Sequence, residues 1–221
     1  MKKVSTLICL LLTGAMTILQ AQESKDHAYV DLGLPSGTLW ATCNVGANSP
    51  EDYGDYFAWG ETTTKSVYNF DTYQYGTNIS LTKYCNYGSN GKNGFTDNLT
   101  TLQPMDDVAT ANWGSGWRMP TREEFEELYN NTTCTWTQRN GVNGRLFTAS
   151  NGNSLFMPAA GHRHRGSLYL AGDSGFYWSS SLYNKPTDAW CLYFHSGHYG
   201  RRYDDRSYGR SVRAVRSSAK N

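Results

Sequence analysis

An α+β fold built mainly from short antiparallel strands follows from three features of this 221-residue sequence. Glycine, serine, threonine and asparagine are spread along the whole chain, and 16 tyrosines and 7 tryptophans are spread with them. That composition makes many turns and short, half-buried strands. Apolar residues alternate with period two in brief runs between turn signals. Only one segment carries a strong helix signature.

The chain opens "MKKVSTLICLLLTGAMTILQAQES". Lys2 and Lys3 precede an apolar run from Val4 to Leu19, and Ala21 precedes Gln22. This is the pattern of a secretory signal over residues 1–21, although Leu19 is larger than the residue usual at that position. The apolar run is short for a spanning helix, so no membrane-spanning segment is expected after cleavage. One folded domain is expected over residues 27–216, in a protein that is secreted, on the cell surface or periplasmic.

Within that domain, "YVDLG" and "TLWATCNVG" read as paired strands. "MDDVATANW" (Met105–Trp113) reads as a weak helix. In "RMPTREEFEELYNN", Thr121 and Glu124 make a capping box, and Pro120 and Phe125 are placed to form a hydrophobic staple. Phe125, Leu128 and Tyr129 share a helix face, and Asn130 and Asn131 are the stop. "RLFTAS" and "SLFMPAA" read as a hairpin across Asn151–Asn153. "FYWSSSLY" and "AWCLYFHS" read as two strands divided by the turn signal "NKPTD". Parity in the second puts Trp190, Leu192 and Phe194 on the core face and Cys191, Tyr193 and His195 on the other. "SVRAVR" closes the domain, with Val212 and Ala214 facing away from Arg213. Trp178, Trp190, Leu192, Phe194 and Val212 are the expected core of this region.

The formal charge is +1, from 20 basic and 19 acidic residues, which gives no global case for nucleic acid or membrane. Residues 201–221 are locally basic, with six arginines and Lys220 against Asp204 and Asp205. An exported chain seldom meets nucleic acid, so no nucleic-acid partner is expected. Cys43, Cys85, Cys134 and Cys191 follow the signal. They permit bridges or free thiols, with three connectivities open. No Cys-x-x-Cys pair occurs.

The stretch "HSGHYGRRYDDRSYGR" (195–210) has no aliphatic residue and three tyrosines. Tyrosine, arginine, serine, glycine and aspartate are the residues of adaptable recognition surfaces. A ligand surface over 183–208 is therefore expected, carried by Tyr183, Tyr193, His195, His198, Tyr199, Arg202, Tyr203, Asp204, Asp205, Ser207 and Tyr208. Residues 198–208 read as a loop, held by Arg201, Arg206 and Arg210.

Six further stretches are more specific: "YVDLGLPSGTLWATCNVGA", "PEDYGDYFAWGETT", "WGSGWRMPTREEFEEL", "NGNSLFMPAAG", "YWSSS" and "GRSVRAVR". Together they resemble the Fibrobacter succinogenes major paralogous domain family over nearly the whole chain after the signal. The helix start Arg118–Thr121 and the terminal Gly209–Arg216 are distantly similar to formylglycine-generating enzymes, which implies a C-type-lectin-like fold. The chain also resembles the variable proteins of diversity-generating retroelements, whose lectin-type scaffolds carry a hypervariable surface near the C-terminus. Residues 191–210 contain no Lys, Glu, Gln, Met or Trp, the residues that adenine mutation of asparagine codons does not reach. Cys43 and Cys85 fall in family-like stretches, so the resemblance favours that pair, with Cys191 free.

Catalytic chemistry is weakly represented. His162, His164, His195 and His198 have zinc-like spacings, but no carboxylate is fixed beside them. Ser179–Ser181 lack a nucleophile elbow. The copper–cysteine pair of formylglycine-generating enzymes has no counterpart after Leu192. The triplets of calcium-dependent lectins are missing, and Asp106 and Asp107 read as an exposed helix-start pair. The reading is therefore a binding protein without catalytic residues, metal or cofactor, whose partner is a surface protein or glycan. A structural role in the envelope or in pili is the alternative, and an enzyme like the formylglycine-generating group comes third.

Overall fold

The computed structural model describes residues 27–218, so the expected signal lies outside the described residues. Two short strands, β1 (Tyr29–Asp31) and β2 (Thr38–Ala41), pair antiparallel as their sequences suggest, and β13 (Val215–Ser217) pairs with β2 from the far end of the chain. The two ends of the domain thus close on each other. A loop-rich stretch follows β2, with the small ribbon β3 (Gly76–Thr77) and β4 (Ser80–Leu81). Helix α1 (Val108–Trp113) comes next, shorter than the sequence suggests because residues 104–106 form a 3₁₀ turn ahead of it. Helix α2 (Arg122–Asn130) starts where predicted: Thr121 accepts from the Glu124 amide and Glu124 accepts from the Thr121 amide. Phe125 and Leu128 are its buried face.

Three strands after α2 form a meander: β5 (Thr132–Arg139), β6 (Val142–Ala149) and β7 (Ser154–Pro158). The β5–β6 turn is Asn140-Gly141, with φ of 50° and 81°, the left-handed pair a two-residue turn demands. A two-stranded ribbon, β8 (His162–His164) and β9 (Ser167–Tyr169), leads to the central sheet. That sheet is β10 (Ser174–Leu182), β11 (Asp188–His195) and β12 (His198–Asp205), in order β10-β11-β12.

The central sheet separates two apolar clusters. Trp178, Ala189 and Cys191 join one with Trp59, Tyr84 and Val212. Tyr177, Leu192 and Phe194 join the other with Trp40, Phe125 and Phe147. A strand buried on both faces breaks the one-sided parity argument. Cys191, expected to face outward, is buried, whereas Trp190, expected in the core, is half-buried beside Tyr183 and Tyr203. Trp178, Leu192, Phe194 and Val212 are core as expected.

Other expectations change for related reasons. Residues 198–205 are a strand and not a loop, because Ser196-Gly197 turns the chain straight back and pairs His195 with His198 through to Asp188 with Asp205. Arg213 is fully buried. It donates to Asn44 Oδ1 at 2.9 Å and to the carbonyls of Ala41, Thr42 and Phe156. Asp106 and Asp107 are buried too. Asp106 accepts from Lys83, Tyr75 and Tyr84, and Asp107 caps α1 through the amides of Ala109 and Thr110. No disulfide joins Cys43 and Cys85: all four cysteines of the described residues have free thiols.

Candidate ligand surface

The β11–β12 hairpin closes one side of the central sheet, and β12 is its edge. Three buried arginines fasten it. Arg145 of β6 donates to the carbonyls of His195 (2.7 Å), Ser196 (3.1 Å) and His198 (3.3 Å), gripping the turn from the neighbouring sheet. Arg206 ends the strand and donates to the carbonyls of Lys83, Tyr84 and Pro186. Arg210 donates to Asp204 Oδ2 and to Cys191 Sγ. Arg206 and Arg210 therefore hold the segment, as expected. Arg201 does so from the surface, through Glu126 of α2 at 2.6 Å.

Alternation along β12 gives the hairpin two exposed sides. On the side towards α2, Tyr199 meets Tyr129 edge-on at 6.2 Å, Arg201 meets Glu126, and Tyr203 stacks on Tyr183 at 3.8 Å and 4°. Trp190 abuts both stacked tyrosines, and the guanidiniums of Arg122 and Arg201 lie over its ring at 5.1 and 5.6 Å. On the other side, Tyr193 sits among His195 (5.7 Å), His198 (6.1 Å) and Phe176 (4.8 Å), with Arg202 over its ring at 5.2 Å. An open basin of about 580 Å³ is lined by Trp190, Tyr193, His198, Arg201, Arg202 and Tyr203.

Seven of the predicted residues thus converge on the hairpin: Tyr183, Tyr193, His195, His198, Tyr199, Arg202 and Tyr203. The last four are exposed and the first three half-buried. The remaining four lie elsewhere or inward. Asp204 is half-buried against Arg210. Asp205 accepts from the amide and hydroxyl of Ser207, closing the turn after β12, and burial raises its pKa. Ser207 is only 1% exposed. Tyr208 packs its ring near His164 (4.4 Å) and His162 (5.8 Å), away from the hairpin faces. Burial, with Arg210 adding to it, lowers the pKa of His162 to about 4.

Trp190, which parity placed in the core, is a half-buried part of this surface, and Arg201, expected to hold the segment, does so while lining the basin. Arg145 was invisible in the sequence, since nothing local distinguishes it on its strand. Among the described residues no three His, Cys, Asp or Glu side chains gather as a metal ion would need. Ser179 and Ser180 spend their hydroxyls on the carbonyls of Trp190 and Pro120.

The family model of the Lcl C-terminal domain matches residues 34–216, from the turn before β2 into β13. The chain belongs to the Lcl C-terminal domain family. That match supports the resemblance to the Fibrobacter major paralogous domain family drawn from the motifs. No curated protein and no solved structure matches the chain. Among the described residues of this Lcl-type domain, no helix is long and apolar enough to cross a membrane.

Proposed function

We propose that this domain is an exported or cell-surface binding module on a C-type-lectin-like scaffold, which presents the β11–β12 hairpin to a surface protein or glycan. One observation carries the reading. Tyr199 and Tyr203 are 37% and 47% exposed on a strand whose anchoring is done by buried arginines beneath it. Large aromatic side chains left at the surface of a rigid strand contribute contact area at small entropy cost. Tyrosine and arginine are also the usual energetic anchors of interfaces. The exposed positions are the ones a retroelement could vary without loss of the fold, whereas Leu192, Phe194, Arg206 and Arg210 in the same stretch are core. The hydroxyls of Ser179 and Ser180, committed to the carbonyls of Trp190 and Pro120, favour binding over hydrolysis. The test is a screen of the mature chain against arrayed glycans and surface proteins. A partner whose binding is blocked by His198→Ala or Arg202→Ala supports the reading. A partner indifferent to both substitutions counts against it.

A further inference from the structure

Tyr193 is a shared wall. On one side lies the basin of about 580 Å³ already described, lined by His198 and by Arg201 and Arg202 from the two faces of β12; their carboxylate partners, Glu126 for Arg201 (2.6 Å) and Asp204 for Arg202 (3.4 Å), lie outside its lining. On the other lies a second open basin of about 520 Å³, lined by Trp136, Asn143, Asp173, Tyr193, His195 and Ser196 among others. No arginine or lysine lines this second basin. Asp173 is exposed there, in the turn before β10, and among the described residues it forms no ion pair within 4 Å. Arg145 lies behind the basin, but it is 5% exposed and its donors go to carbonyls. The rings of Trp136, Tyr193 and His195 supply the aromatic part of the wall.

A carboxylate among aromatic faces suits an ammonium group, which donates a charge-assisted hydrogen bond to the acid and gains quadrupole attraction from the rings. Arginines beside tyrosines suit an acid, which they bind by forked hydrogen bonds. We infer that the recognition surface is bipartite across Tyr193, and that it takes a dipolar ligand whose amine enters the Asp173–Trp136 basin and whose acid enters the Arg201–Arg202 basin. This rests on the hairpin being the recognition surface, and it extends that surface onto β5 and the turn before β10.

The test uses backbone-amide NMR of the mature chain with three simple probes: butylamine, butyrate and γ-aminobutyrate. Butylamine should shift the amides of 172–174 and 195–197, butyrate those of 201–203, and γ-aminobutyrate both sets at lower concentration than either. Asp173→Asn should abolish the butylamine response and leave that to butyrate. Among the described residues Asp173 has no ion pair and no side-chain hydrogen bond to lose, only its charge near the Tyr53 hydroxyl, so outside residues 53 and 172–174 this variant should keep the parent spectrum. No butylamine shift at these amides, or a shift that survives Asp173→Asn, would overturn the bipartite site. Neither result depends on the array screen, so the single-surface reading stands or falls separately.

Discussion

Arg145 shows how much one side chain can decide at the residue scale. Its guanidinium grips three carbonyls around the β11–β12 turn and lies over the rings of Tyr199 and Trp136. Arg145→Met leaves the carbonyls without their charged donor, a loss of about 1.5–3 kcal/mol for such bonds. Amide exchange in 195–199 should rise in this variant while the β1–β2 amides stay protected. Asp106 illustrates a titrating residue. Burial raises its pKa, but hydrogen bonds from Lys83, Tyr75 and Tyr84 outweigh burial and leave it below the ordinary value. A depressed carboxylate contributes stability above its unfolded pKa and loses it as pH falls through the folded one. Neighbouring Asp107 is shifted upward by burial and acts with the opposite sign. Comparing melting temperatures of the parent and Asp106→Asn from neutral pH downward should therefore show the parent's advantage shrinking with acidity. A constant gap would count against this network.

Elements were legible where the signal was local. The capping box of α2 needs only Thr121 and Glu124, and both bonds form. Glu124 also takes both terminal nitrogens of Arg118 at 2.6 Å, tying the helix start to the residue that bridges Val215 of β13. Thr121→Ala should cost about 0.5–2 kcal/mol, read as a shift in denaturant midpoint without a change in slope. The β5–β6 hairpin was equally local, through Asn140-Gly141, and was missed because the weak alternation of "TTCTWTQR" hid its first strand. Strand β12 was missed for a different reason. Its residues look like loop, and pairing with β11 makes them a strand. Buried Cys191, Arg213 and Asp106 were not legible at all, because each is buried by a partner remote in sequence. Seven of the eleven candidate residues lie together at the hairpin. Those lost, Asp204, Asp205, Ser207 and Tyr208, lie where the strand bends back into the core.

At the scale of the whole molecule, a scaffold closed by β2 and β13 carries a hairpin pinned by buried arginines and exposed through its tyrosines. Scaffold and surface should then be separable. Tyr199 and Tyr203 make ring contacts with Tyr129, Tyr183 and Trp190, and such pairs are worth about 0.5–1.5 kcal/mol each. In a domain of this size each kcal/mol shifts melting by about 2–4 °C. The most direct measurement pairs melting temperature with partner affinity for the double variant Tyr199→Ala/Tyr203→Ala, using the partner returned by the array screen. A recognition surface predicts a still-cooperative melt lowered by about 3–18 °C and binding lost. A double variant that unfolds, or that binds as tightly as the parent, would contradict the account.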